Sequence, residues 1–206
     1  MIGTDTIASW LRRFEQLVAE HETELTNLDS HIGDADHGVN LVRGLRATVH
    51  ELEAPTLPAQ CKTIGMSLLR HVGGTSGPLL ATFFLRTAAA LHDDVDEIPE
   101  PEFVRALRAG VDGLAVRGNT KLGDKTMLDA FAPAIAALER ETADGVAFQT
   151  AARKAVEAAE RGRDDTAALV ARKGRASYLG QRSTNHVDPG AASTALLFRA
   201  LAEVVA

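Results

Sequence analysis

The chain has one cysteine, Cys61, so no disulfide can form within it. That usage suits a reducing compartment, and a cytoplasmic location is the expectation. No apolar run reaches the length of a membrane span. The N-terminus lacks a signal-peptide core, because Trp10-Leu11 is followed at once by Arg12-Arg13. Aromatic residues are 4% of the chain, too few for a platform on which bases stack. Positive charge is in deficit: the net charge is −6 and no basic stripe occurs, which argues against nucleic-acid binding. No segment carries the alternation of a strand, and neither a linker nor an internal repeat is visible. What remains is a chain of 206 residues, 45% hydrophobic and 24% charged. That balance predicts one globular domain spanning residues 1–206.

The apolar residues recur at helical spacing. Ile7, Trp10, Leu11, Phe14, Leu17, Val18, His21, Leu25 and Leu28 mark a first helix, with Thr4 or Asp5 to cap it. Val42 to Leu52 give a second, Cys61 to Val72 a third, and Leu80 to Leu91 a fourth opened by Ser76 and Pro78. An acidic connection, 93–101, leads to a fifth from Phe103 to Leu114 and a sixth from Met127 to Leu138. A long Ala-rich seventh covers 147–172. Asp188 is a ready N-cap with Pro189 at the first position of the eighth. The pattern predicts an all-α fold, an antiparallel bundle or barrel of eight helices.

In an up-and-down bundle, alternate loops share an end. The loops after helices one, three, five and seven are 28–38, 72–78, 118–126 and 172–188. These four hold the Gly-rich turns and the clustered acids, while the opposite loops are short or plainly acidic. One end is therefore expected to be chemical and the other structural.

The densest of these loops reads Leu28-Asp29-Ser30-His31-Ile32-Gly33-Asp34-Ala35-Asp36-His37-Gly38-Val39-Asn40. Asp29, Asp34 and Asp36 would repel one another unless a cation lies among them. Oxygen ligands at this density suit Mg²⁺ or Ca²⁺ rather than zinc. The same residue types also build ordinary solvated turns. A calcium EF-hand fits poorly, because Val39 and Leu45 stand where its Gly and Glu belong. Gly38 is expected to open a helix, whose free N–H groups suit an anion.

The stretch Gly73-Gly74-Thr75-Ser76-Gly77-Pro78 reads either as phosphate-binding backbone and hydroxyls or as a Gly C-cap followed by a Ser N-cap. Gly118 to Thr126 approaches a Walker A motif but carries Asp124 between glycine and lysine, with no strand before it, so a P-loop is rejected. Met127 suits a flat base or a core. Arg172, Lys173 and Arg175 could meet phosphates or solvent.

Together these segments resemble one family, the L subunit of dihydroxyacetone kinase (DhaL). The matching pieces are Leu28-Asp29 with Ile32 to Gly38, Gly73 to Pro78, Gly123 to Met127, Ala171 to Gly180, and Asp188 to Ala191, in the family's order. The resemblance implies an eight-helix barrel holding ADP or ATP and two Mg²⁺ at one end. It implies Asp29, Asp34 and Asp36 as metal ligands. His37, Gly38, Val39, Asn40, Thr75 and Ser76 would lie at the phosphates. Gly118 and Met127 would border adenine and ribose, Arg175 would lie against the nucleotide, and Asp188, Pro189 and Gly190 would close over it.

The same resemblance implies partners: a K subunit carrying dihydroxyacetone and a phosphohistidine carrier, the M subunit, of the phosphotransferase system. A homodimer is a further expectation. Two other roles stay open. One is an ATP-exchanging subunit for another ketose, or a nucleotide domain like that of fatty acid kinase. The other is an ADP-loaded regulatory module that binds a transcription regulator.

Overall fold

The structure, a computed structural model, describes residues 1–92 and 94–206. Among these, nine α-helices follow one another: α1 Thr4–Glu20, α2 Glu22–Ile32, α3 His37–His50, α4 Leu57–His71, α5 Ser76–Ala89, α6 Glu100–Gly118, α7 Leu128–Ala143, α8 Phe148–Asp165 and α9 Pro189–Val204. Two-residue strands β1 (Ile2–Gly3) and β2 (Glu97–Ile98) pair antiparallel, Ile2 with Ile98. The fold is all-α, as the sequence predicts. Of the 93–101 connection, Asp93 lies outside the described residues.

The expected first helix is a bent one. The backbone bonds His21 N–H to Leu17 O and Leu25 N–H to His21 O carry the chain across the bend between α1 and α2. His21 Nδ1 lies 2.8 Å from the Leu17 carbonyl, a side chain inserted into the helical ladder. With α1 and α2 taken as one bent unit, eight units remain. Each packs on the next, and α9 returns to α1 to close the ring.

The few aromatics are concentrated where they bury most area. Trp10 meets Phe103 edge-on at 6.0 Å and Phe84 at 5.7 Å, and Phe83, Phe131 and Phe198 continue the cluster. Trp10 Nε1–H donates to the Leu197 carbonyl at 2.8 Å, fixing α1 to α9. A buried bond of this kind contributes about 1 kcal/mol net, and losing the ring would cost several times that. Helix α9 is buried on nearly every side, which its run of Ala, Ser and Leu permits.

Four expected boundaries shift. The acidic segment 28–38 is not wholly a loop: α2 runs through Ile32, so Asp29 lies in a helix and only Gly33 to Asp36 are irregular. The helix that follows opens at His37, one residue before Gly38. The seventh unit ends at Asp165 rather than 172, and the chain then takes a 3-10 turn, Thr166–Ala168, and a longer 3-10 segment, Arg175–Ser183. The reason is Lys125, whose ammonium takes carbonyls of that stretch that a continuing helix would use. At the first helix Gly3, not Thr4 or Asp5, is the cap residue, and its N–H reaches Thr6 Oγ1 at 3.4 Å.

Candidate nucleotide and metal site

One cavity of about 400 Å³ opens at an end of the barrel. Its wall takes residues from all four loops that alternation placed together: Asp29 to Asn40, Val72 to Ser76, Gly118 to Met127, and Lys173 to Gly190.

The acids are held from below. Asp29 is buried at the end of α2, and its Oδ2 accepts from the N–H groups of Asp36 at 2.9 Å and His37 at 3.2 Å. It therefore caps α3 from the preceding helix. A side chain at Gly33 would displace the Asp29 carboxylate, because a Cβ there would lie 1.9 Å from Asp29 Oδ1. Ala35 takes a left-handed backbone, φ 60°, and the chain reverses between the two remaining acids. As a result Asp29, Asp34 and Asp36 each offer a carboxylate oxygen within 4.8 Å of the others. At that spacing each pair of charges costs about 1–3 kcal/mol, depending on its exposure to water. A hard divalent ion among them would reverse the sign, and an all-oxygen donor set fits Mg²⁺. The cation facing the group is Arg175, whose Nη2 lies 2.9 Å from Asp34 Oδ2.

His37 stands beside the acids, buried and neutral. Its Nε2 is 3.0 Å from Ser193 Oγ and its Nδ1 is 3.1 Å from Ser76 Oγ. Ser193 donates its own proton to Gly190 O at 3.0 Å, so it accepts from Nε2–H, and Ser76 then donates to Nδ1. Burial pushes the imidazole down to about 4. The Ser76 hydroxyl is thus committed to His37. An anion at α5 would meet the backbone N–H groups of its first turn and the Thr75 side chain, which is no side-chain cap of that helix.

Asn40 sits against Gly73, with its Oδ1 held by Arg43 at 2.7 Å. Gly118 ends α6 in the wall, and Met127 is at once core and lining. Asp188 caps α9, accepting from Ala191 N–H at 2.8 Å, and burial raises its carboxyl to about 7. Pro189 and Gly190 complete that edge. Gly38 and Val39 are not part of the cavity wall. At Gly38 a Cβ would lie 2.3 Å from the Glu22 carbonyl, so its role is to let α2 approach α3. Val39 faces outward, 47% exposed.

Several residues escaped the sequence reading. Asp129 organises the 123–126 turn, accepting from Gly123 N–H at 2.6 Å and Thr126 N–H at 2.7 Å. The signal was there: Thr126-Met127-Leu128-Asp129 has the spacing of a capping box. Lys125 lines the cavity, but its ammonium is tied back to the carbonyls of Thr166, Leu169 and His186 rather than left free as a Walker lysine's would be. Ser193 gave no signal beyond its place on an apolar helix.

The DAK2 domain matches residues 31–203. The PEP-dependent dihydroxyacetone kinase ADP-binding subunit DhaL of Escherichia coli (strain K12) is 40% identical over 199 residues, covering 95% of this chain and 94% of that protein. The L-erythrulose 1-kinase of Mycolicibacterium smegmatis is 38% identical over 204 residues, but the match covers only 35% of it. Among solved structures, the dihydroxyacetone kinase of C. freundii in complex with AMP-PNP and Mg²⁺ superposes with a TM-score of 0.74 at 27% identity. That match covers 95% of this chain and 33% of the other, so the chain spans about a third of it. No described helix is long and apolar enough to cross a membrane. The chain belongs to the DAK2 domain family, and the relatives it matches along almost their whole length are the ADP-binding L subunits of dihydroxyacetone kinase.

Proposed function

We propose that this chain is the nucleotide-carrying subunit of a dihydroxyacetone kinase. Its bound ADP is rephosphorylated in place by a phosphohistidine carrier, and the γ-phosphate then passes to dihydroxyacetone held on a K subunit. The observation that carries this reading is the convergence of Asp29, Asp34 and Asp36 on one point of a cavity about 400 Å³ in volume. Relatives named as ADP-binding subunits, 36–40% identical, support it.

Phosphoryl transfer needs positioning and charge neutralisation more than a covalent protein group. When bound, two Mg²⁺ would supply that neutralisation at the phosphate oxygens. Asp29, Asp34 and Asp36 would hold them. His37, neutral and fixed between two serines, gives a rigid wall that adds no competing charge. The first turn of α5 and the Thr75 hydroxyl suit the phosphates, with Asn40 beside them. Gly118, Met127, Pro189 and Gly190 make the flat, mostly apolar side that a base and ribose need, and Asp188 closes it. Arg175 stands at the mouth, where it can follow charge moving toward a partner. Val39, Leu122 and Tyr178, exposed beside the lining residues, suit the contact with that partner.

The test is nucleotide retention. Purified chain is expected to keep ADP through gel filtration in Mg²⁺ and to turn over with the phosphorylated carrier and K subunit rather than with free ATP. Rapid exchange with ATP would favour the second reading, an ATP-using ketose kinase, which the 38% identity to L-erythrulose 1-kinase supports.

A further inference from the structure

Residues 170–185 form an arm outside the barrel. Its apolar side chains, Ala171, Ala176 and Leu179, pack with Ile32 in a small cluster of their own, separate from the main core. The arm carries Lys173, Gly174 and Arg175 to the cavity wall. Its two ends come together at a neck. Asn185 N–H donates to Ala167 O at 2.7 Å, and Asp188 N–H donates to Thr166 Oγ1 at 2.9 Å.

Lys125 lies in that neck, 1% exposed, on a left-handed backbone with φ 63°. Its ammonium donates to Thr166 O at 2.8 Å and Leu169 O at 3.2 Å on the outgoing side, and to His186 O on the returning side. Three donors are all that an ammonium has, and all three are used. A buried charge that bridges both ends of one loop, on strained backbone, is expensive unless the closure is needed. The neighbouring turn is tied to the same arm, since Arg172 N–H donates to Asp124 O at 3.0 Å.

We propose that Lys125 is a positioning residue that closes the neck of the arm and so sets how long the nucleotide stays in the cavity. This rests on the nucleotide-carrying role proposed above. With its three donors committed to the neck, the ammonium acts through the arm, although Lys125 itself lines the cavity. It holds Arg175 and the wall around it in register, and release requires the arm to lift away from the acids. A subunit that keeps its nucleotide as a coenzyme needs such a closure, whereas an exchanging one does not.

The experiment follows fluorescent N-methylanthraniloyl ADP with Mg²⁺ on the full chain, chased with excess ADP, together with amide hydrogen exchange. Lys125→Met is expected to speed release at least tenfold with the association rate within twofold. Exchange should quicken in residues 170–186 and not along α1 to α7, with or without nucleotide. Release within twofold of wild type, or exchange rising equally through all helices, overturns the proposal.

A disulfide between Ala167→Cys and Asn185→Cys, added to Lys125→Met, is expected to restore slow release; failure to restore it also overturns the proposal. Should Lys125→Met not fold, Lys125→Arg is the companion. It keeps the charge but spreads its donors in a plane, and it should speed release severalfold; an unchanged rate counts against the clasp. Wild type that binds no Mg²⁺–ADP would instead overturn the nucleotide-carrying reading itself, and the exchange result then stands apart from it.

Discussion

Arg175 and Asp34 meet across the mouth of the cavity, guanidinium to carboxylate at 2.9 Å. Both side chains are well exposed, 70% and 38%, so the pair adds at most about 1 kcal/mol to stability. Its meaning is positional: the arm's cation reaches the least buried of three acids. Asp34→Asn is therefore expected to leave the circular dichroism spectrum and the melting temperature almost unchanged. Affinity for Mg²⁺–ADP should fall about 100-fold or more, equivalent to roughly 3 kcal/mol, read by calorimetry. Unaltered affinity would remove Asp34 from the ligand set.

Asp29 behaves differently, because the same carboxylate holds two backbone N–H groups at the start of α3. Asp29→Ala is expected to lower folding stability by about 1–2 kcal/mol in urea titrations without metal. Loss of Mg²⁺–ADP binding should accompany it. A metal defect with no stability change would mean that water replaces the cap fully.

Gly38→Ala tests the contact of α2 with α3. The new methyl would meet the Glu22 carbonyl at 2.3 Å and Thr26 Oγ1 at 2.6 Å. Backbone must move, at a cost of about 1–3 kcal/mol. A thermal melt checks this, and an unshifted melting temperature would show that the bend at His21 absorbs the strain.

Two buried groups at the site give stability opposite slopes in pH. His37 titrates near 6.5 unfolded but is pushed down to about 4 by burial, so the unfolded chain binds its proton more readily. Its neutral burial therefore carries full stability above pH 6.5, and about 3 kcal/mol is lost as pH falls toward 4. For Asp188, burial raises the carboxyl from 3.8 to about 7, so the folded state holds the proton more tightly. Stability from that group is full below about pH 4 and is lost as pH rises to about 7, by an amount on the order of 4 kcal/mol. Asp188→Asn can keep the cap on Ala191 and should raise the melting temperature of metal-free protein at pH 8, not at pH 4. Equal shifts at both values would refute the burial account.

The periodicity of Trp10, Phe84, Leu107 and Phe131 was enough to find the barrel, because helical spacing is a local signal and these side chains share one core. Loop alternation goes further: it puts Asp29, Ser76, Thr126 and Asp188 at one end of the bundle, and all four line the cavity. The limits were also physical. The first helix bends at His21 through a side-chain-to-backbone bond that no pattern announces. The true end of α8 depends on Lys125, forty-one residues away in sequence from the Thr166 carbonyl it binds. Gly38 shows the converse: its place in a chemical motif hid a packing role.

Cys61 offers a check on the core itself. Burial pushes its thiol up to about 12, and it is 2% exposed on α4, which packs against α3 and α5. Aromatic disulfide reagents should not label it in the native protein within hours, and labelling should follow unfolding in denaturant. Fast native labelling would mean that α4 opens locally.

Ile32, Ala171 and Ala176 form a patch of apolar contact that shares no buried side chain with the main cluster. The arm is consequently a replaceable part. Its outer face, with Tyr178 at the crest, can be rewritten by substitution or grafted from a relative while the eight-unit ring keeps its melting behaviour. Whatever surface the arm presents can then change without a redesign of the scaffold beneath it.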